Sequence, residues 1–335
     1  MKAKKTDKTA IRYAAISFLK EERRLVFGFE EAGETIRHRV FRRGSGSLAL
    51  ANPYFDVNGA LHLRRFFSKD AKVLMLLRPC EVRAYVELSK LMQIERESVI
   101  AVSLDCFGTL SSKEAEPLPT EPIDLKAALA ASGKLRYACK VCREPRAVIG
   151  DASIRVDKSG ALWACALTPR GEEFISLVEG EEAEVAEEFL VTPPAAGEKF
   201  QSDMEEFSRD FEKCIMCMNC RDMCPVCYCV DCVFHGDEYV PKGDAFINKM
   251  LRLGESSLPA GKELFHFIRM YHVSQTCVGC GACEEACPQK IPLTKYMKGT
   301  SERLQKIFSY MSGRSFDETL PYLTFLEDEL RDADD

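Results

Sequence analysis

Cys214-Ile-Met-Cys217-Met-Asn-Cys220-Arg-Asp-Met-Cys224-Pro225 and Cys277-Val-Gly-Cys280-Gly-Ala-Cys283-Glu-Glu-Ala-Cys287-Pro288 decide the reading of this chain. Both follow C-x2-C-x2-C-x3-C-P, a run in which three thiolates wrap one iron-sulfur cluster and the fourth ligates the other cluster of a pair. The repeat predicts two cubane 4Fe-4S clusters side by side. Cys214, Cys217, Cys220 and Cys287 are the expected ligands of cluster one; Cys277, Cys280, Cys283 and Cys224 are those of cluster two. Closely spaced thiols suit a tight loop around three iron corners, while the fourth, on the helix that follows, reaches the neighbouring cluster and the proline turns the chain away. Zinc sites also use C-x2-C pairs, but they need neither a third cysteine in the run nor a fourth before proline. Ile215, Met216, Met218, Val278 and Ala282 give the loops an apolar wrapping suited to a shielded cluster.

Outward from the repeat, 335 residues at 46% apolar content suffice for two domains with ordinary cores. Sixteen cysteines would mark a disulfide framework in a short secreted chain. Here the start Met1-Lys-Ala-Lys-Lys-Thr-Asp-Lys lacks the apolar stretch of a signal peptide, so the thiols are read as reduced ligands in cytoplasm. No apolar run reaches the roughly 20 residues of a membrane span. A net charge of -6 with no basic stripe argues against nucleic acid.

Val191-Thr-Pro-Pro-Ala-Ala-Gly197 follows the acidic Glu181–Glu188 and reads as a linker. The division expected is an α/β domain over 1–190, a linker over 191–201, a dicluster domain over 202–293, and a helical tail over 294–335 open to partner docking. In the front domain Lys72–Leu77 and Val99–Leu104 are short apolar runs of the buried parallel-strand kind, joined by a helix carrying Val82, Tyr85, Leu88 and Leu91. That is a right-handed crossover. Arg136–Gly150 is loop-like, and Ser153–Val156 with Leu162–Leu167 form a hairpin turning at Asp157-Lys-Ser-Gly160. Beyond the linker, Phe207 and Phe211 place one helix before the first run, and Leu264, Phe267, Ile268 and Tyr271 place another before the second. Leu304, Ile307, Phe308 and Met311 mark a tail helix over Ser301–Met311, and Leu320–Leu326 offers a docking segment.

Eight cysteines remain. Cys80 stands where a strand hands over to a helix and Cys106 ends the next strand, so both lie at the carboxyl edge of a parallel sheet, where such sheets place ligands. With Cys139 and Cys142 they make a possible third 4Fe-4S site; the plain alternative is that Cys80 and Cys106 are core residues and the C-x2-C pair binds zinc or cycles its thiols. Cys227, Cys229 and Cys232 are possible additional ligands lacking a named fourth. Cys165 alternates with Trp163 and reads as core. Arg42-Arg-Gly-Ser-Gly-Ser47 matches no phosphate loop and reads as a turn. His266, Arg269 and His272 recur at helical spacing before Cys277; they either donate hydrogen bonds to cluster sulfurs and tune potential or form a polar face. No catalytic constellation for hydrolysis is present, so no catalytic residue is assigned.

Arg-Pro-Cys80-Glu, Leu-Asp-Cys106-Phe-Gly, Ala-Cys139-Lys-Val-Cys142-Arg-Glu, Gly160-Ala-Leu-Trp and Gly171-Glu-Glu-Phe together resemble the C-terminal domain of the beta-subunit family of deazaflavin (coenzyme F-420)-dependent hydrogenases and formate dehydrogenases. Cys-Pro-x-Cys-x-Cys after the first run, and Phe265-His-Phe-Ile-Arg-Met-Tyr-His272 before the second, are similar to the beta subunit of sulfhydrogenases and the electron-transfer subunit of anaerobic sulfite reductase. The segment before Cys80 lacks the ferredoxin motif and Gly-Gly flavin stretch with which the hydrogenase family usually opens. The resemblance implies a mixed α/β N-terminal domain followed by a mainly α-helical, bacterial-ferredoxin-like dicluster domain. It implies an iron-sulfur electron-transfer subunit working with a catalytic hydrogenase or formate dehydrogenase subunit, or with a heterodisulfide-reductase-like or flavin partner. The alternatives are an FAD-containing dehydrogenase subunit acting on a deazaflavin or nicotinamide, and a zinc-stabilised scaffold without redox activity.

Overall fold

The computed structural model describes residues 3–44, 46–66, 71–185, 188–193, 200, 203–236, 239, 243–254 and 261–323. Most of the linker, and the docking segment beyond Leu323, lie outside them. The front part supplies strands β1 (Ala3–Thr6), β2 (Arg24–Ala32), β3 (Thr35–Phe41), β4 (Leu48–Ala49), β5 (Tyr54–Phe55), β6 (Lys72–Leu77), β7 (Val99–Leu104), β8 (Leu110–Ser111), β9 (Ala152–Val156), β10 (Leu162–Ala166) and β11 (Glu181–Glu182). Its helices are α1 (Lys8–Phe18), α2 (Ala60–Phe66), α3 (Pro79–Lys90), α4 (Pro122–Ser132), α5 (Tyr137–Lys140) and α6 (Pro169–Leu177). One sheet runs β11-β1-β10-β9-β7-β6-β2-β3, with β4 also pairing β2. β2, β6, β7 and β9 are mutually parallel and the outer pairs antiparallel. This is the mixed α/β sheet expected.

The two apolar runs become β6 and β7 with unchanged bounds, in parallel register from Val73 opposite Val99 to Leu77 opposite Ser103. Every residue of β7 is buried, which is why its sequence carries no alternation. The hairpin forms with Leu162 opposite Val156. Asp157 closes it, accepting from the amides of Ser159 and Ala161 and from Trp163 Nε1 at 2.8 Å. Cys165 is 1% exposed, packed with Ala3, Trp163 and Phe189.

The second part carries α7 (Met204–Phe211), α8 (Asn219–Asp222), α9 (Gly243–Leu253), α10 (Lys262–Val273), α11 (Ala282–Glu285) and α12 (Leu293–Ile307). A separate apolar cluster forms here around Phe207, Phe211, Phe234, Phe265 and Tyr296. Two elements differ from the sequence reading. The Arg136–Gly150 loop contains α5, and the tail helix starts at Leu293, burying Leu293, Tyr296, Met297 and Ser301 instead of the Leu304 face.

The two parts meet along α3. Arg83 donates to the carbonyls of Ser312 at 2.8 Å and Val278 at 3.2 Å, and Glu87 accepts from Tyr310 Oη and the Gly313 amide, each at 2.6 Å. Arg136, just before α5, donates to the carbonyls of Cys280 at 3.2 Å and Gly281 at 2.9 Å and pairs with Glu285. Lys298 reaches the Val141 carbonyl, and Ser111 reaches Glu285.

Candidate metal centres

The loop from Cys214 to Cys220 begins where an aromatic stack ends α7. Phe207 and Phe211 lie 4.3 Å apart by ring centre, and Phe211 lies 4.1 Å from the His266 ring of α10. Cys214, Cys217, Cys220 and Cys287 line one small cavity of about 20 Å³, beside Met216, His266 and Pro288. The Met216 amide donates to Cys214 Sγ at 3.4 Å, and His266 Nε2 lies 3.3 Å from the same sulfur. Burial, aided by the charge of Arg269, lowers the His266 pKa to about 3, so its ring is neutral.

The loop from Cys277 to Cys283 repeats the backbone of the first. Met216 and Met218 have φ of 54° and 63°, and Gly279 and Gly281, at matching places in the second run, have 68° and 70°. Left-handed residues alternating with right-handed ones turn successive amides inward, a concavity that suits anionic groups including iron-sulfur clusters. Gly281 has a further reason to lack a side chain: a Cβ there would lie 2.5 Å from Ala138 of α5. Burial, with Cys224 and Cys283 adding to it and the amides of Gly279 and Ala282 pulling the other way, leaves Cys277 and Cys280 at about 12. Cys224 and Cys287 fall just past α8 and α11; the spacing had put them on those helices, which stop after four residues.

Cys80 sits in the first turn of α3, Cys106 beyond β7, and Cys139 and Cys142 on and after α5. All four line a cavity of about 790 Å³ between the two parts of the chain, whose opposite wall includes Cys277 and Cys280. Burial, then Cys139 and more weakly Cys142, against the charge of Arg78, bring Cys106 up to about 12. Cys80 is raised by burial and then Glu81, with Cys280 and Cys106 adding to it. The amides of Gly108 and Glu144 act on Cys106 and Cys142 as the loop amides act in the dicluster runs. Beneath Cys80, Arg78 is bound by Glu81 through 3.0 and 2.9 Å contacts, and Glu81 also meets His38 Nε2 at 2.7 Å.

Of the remaining candidates, Cys227 packs against Cys224, Cys229 is exposed, and Cys232 lies beside Arg221. Arg221 also donates to the Cys229 carbonyl, at 3.4 Å. His266 and Arg269 face the thiols, whereas His272 is exposed, its carbonyl accepting from Tyr322 Oη at 3.0 Å and its ring centre 6.0 Å from that of Phe234. Helix α10 exists as expected but is turned over: Leu264, Phe267 and Tyr271 are exposed, and Phe265, His266, Arg269, Met270 and Val273 are buried. Arg83, Arg136 and Lys298, which line the large cavity, were absent from the sequence reading because each is a lone cation outside any motif.

Among the described residues no group of His, Cys, Asp and Glu is gathered tightly enough for a single metal ion. A cubane spreads its four thiolates over four corners, and the donor set fits one. The sulfurs are ringed by backbone amides and served by a buried guanidinium, Arg269, that meets the thiols of Cys227 and Cys283 and no oxygen or nitrogen acceptor.

The comparisons agree on the class first: residues 210–291 match the family model of the 4Fe-4S dicluster domain. The chain carries such a domain. Over 83% of its own length and 84% of the relative's, it is 25% identical to the F420-dependent formate dehydrogenase subunit beta of Methanocaldococcus jannaschii. It is 28% identical to the F420-dependent formate dehydrogenase 1 subunit beta of Methanococcus maripaludis, over 77% of this chain and 76% of that one. The resemblance to the deazaflavin-dependent beta subunits is therefore carried by most of the chain. A solved chain of the F420-reducing NiFe hydrogenase complex from Methanosarcina barkeri is 15% identical, covers 52% of this chain and 76% of that one, and superposes with a TM-score of 0.38, too low to support any argument. No helix among the described residues is long and apolar enough to cross a membrane.

Proposed function

We propose that this chain is the iron-sulfur electron-transfer subunit of a cytoplasmic anaerobic redox complex, built as an α/β domain over 1–190 and a mainly helical dicluster domain over 202–293. The observation that carries the reading is the pair of cysteine loops inside a dicluster domain, one of them facing the cavity shared by Cys80, Cys106, Cys139 and Cys142. Cys214, Cys217, Cys220 and Cys287 would hold one cluster, Cys277, Cys280, Cys283 and Cys224 the second, and the cavity cysteines a third. Each cluster, when bound, accepts and returns one electron at a time and needs no acid or base.

The residues supply the rest. The loop amides and His266 direct hydrogen bonds at sulfur, the aromatic stack of Phe207, Phe211 and Tyr296 excludes water, and α3 with Arg136 locks the second loop against the cavity. By analogy with its relatives, the partner would be a catalytic formate dehydrogenase or hydrogenase subunit, with a heterodisulfide-reductase-like or flavin subunit as the other terminus. Iron and acid-labile sulfide analysis of anaerobically reconstituted protein, with EPR after reduction, tests this. Roughly twelve irons per chain are expected for three clusters; zinc without sulfide would establish the scaffold reading instead.

The large cavity supports a second reading, an FAD-containing dehydrogenase subunit acting on a deazaflavin or nicotinamide. Its 790 Å³ falls within the range of about 300–1,000 Å³ typical of organic-ligand pockets. Its lining combines Phe55 and Phe107 with Lys126, Lys140, Arg143 and Lys306, a mixture suited to a ring system bearing phosphates. Stoichiometric FAD released by acid would establish it, and its absence from protein loaded with iron would exclude it.

A further inference from the structure

Arg269 is 0% exposed and is among the largest fully buried side chains of the protein. Its Nε, Nη1 and Nη2 pair with no oxygen or nitrogen, it has no ion pair among the described residues, and the side chains that meet it are the thiols of Cys227 and Cys283. A guanidinium cannot shed its proton in a protein, and a buried charge left uncompensated is strongly destabilising. The position therefore calls for an anion. It lies on α10 between Phe265 and Met270, which pack in one apolar cluster with Cys220, Cys224 and Cys283. Those sulfurs belong to two different ligand sets. The groups that do most to hold the guanidinium protonated against burial are Cys220, Cys283, Cys224 and Cys227. His266, one turn earlier, meets Cys214 Sγ at 3.3 Å on the side of the first loop.

We propose that Arg269 is the shared counter-charge of the two dicluster centres, a fixed cation between the two cysteine loops that raises the midpoint potential of both clusters together. The proposal rests on the reading that the two loops hold clusters. A cubane with four thiolates is net anionic and becomes more so on taking an electron, so a nearby cation favours its reduced state. Placed between two such groups, one cation also offsets part of the repulsion between them. Arg269 touches no substrate; it is a positioning and tuning residue.

The test is an EPR-monitored redox titration of the full chain, anaerobically reconstituted, as wild type, Arg269→Gln, Arg269→Lys and His266→Gln. The signals are assigned with Cys287→Ser and Cys224→Ser, each of which lacks one cluster. In Arg269→Gln both midpoints are expected to move to more negative potential, in Arg269→Lys both move less, and in His266→Gln only that of cluster one moves. Unchanged midpoints in Arg269→Gln with wild-type iron content, or movement of one midpoint alone, would overturn the proposal. If Arg269→Gln fails to load, loss of both clusters with retention in Arg269→Lys supports it, because the charge is then what assembly requires. Loss in Gln and Lys alike, or loss of one cluster only, overturns it. Absence of iron from the wild type would defeat the functional reading itself, a result distinct from all of these.

Discussion

At the scale of single residues, the recurring unit is a cysteine whose sulfur meets the amide two positions later. Cys214 with Met216, Cys277 with Gly279, and Cys280 with Ala282 follow it in the two loops, and Cys106 with Gly108 and Cys142 with Glu144 follow it across the cavity. Such amides favour the thiolate over the thiol and so favour a bound cluster. The crossed assignment of the fourth ligands makes a sharp prediction. Cys287→Ser should lose roughly four irons and the EPR signal of the centre on the first loop, and Cys224→Ser should lose the other. Uncrossed losses, measured by iron content and EPR, would reverse the assignment. The eight dicluster cysteines were legible in the sequence because spacing alone carries the information. Arg269 was read only as part of a helical triplet. Which face of α10 turns inward was not legible, because the helix buries a cation and a histidine while leaving Leu264 and Tyr271 to solvent, against the ordinary rule of burial.

At the scale of elements, α3 does most of the organising. Its first turn holds the buried set of Arg78, Glu81 and His38, and its outer face holds Arg83 and Glu87 at the junction with the second part of the chain. Although burial alone would lower it, Glu81, with help from Asp56 and against Arg78, raises the His38 pKa; Glu81 is held well below the usual carboxylate range by Arg78 and then His38. Folding therefore tightens the His38 proton. The stability this adds is complete below about 6.5, the unfolded value, and is lost as pH rises through the folded one. Glu81 contributes the opposite edge, present above about 4.3 and lost on acidification. His38→Gln should cost roughly 1–3 kcal/mol near pH 6 and flatten the alkaline fall. Denaturant titration followed through Trp163, the sole tryptophan, measures both. At the residue that caps the start of α11, Gly281→Ala should cost about 1–3 kcal/mol, because the new methyl would press on Ala138 from a left-handed position. The matching change Met218→Gly in the first loop should relieve backbone strain yet cost about 2–4 kcal/mol net, because Met218 is buried in the apolar cluster, and thermal unfolding of the loaded protein measures both.

At the scale of the whole molecule, β6, α3 and β7 were legible because uninterrupted apolar runs next to a Pro-Cys turn allow little else. The large cavity was half legible. Its four cysteines were named from three separate segments, but the wall formed by Cys277, Cys280 and Lys298 comes from residues more than 130 positions further along the chain, and no local pattern encodes that approach. Among the contacts that close it are those of Glu87 with Tyr310 and Gly313 and of Arg83 with Ser312 and Val278. Glu87→Ala should leave Tyr310 and Lys90 without their buried partner and cost about 3–5 kcal/mol at the junction. Faster limited proteolysis between the two parts, with the cluster signals retained, would report it.

The two loops share a backbone but not a neighbourhood. In the first, Cys217 is exposed and Ile215 is 48% exposed; in the second, Gly281 is pressed under α5, and Cys283 and its expected partner Cys224 are buried. Dissolved oxygen therefore meets the two centres in a set order. On brief exposure to air the EPR signal of the first should fade before that of the second, so the outward loop would be the one through which the protein is first damaged.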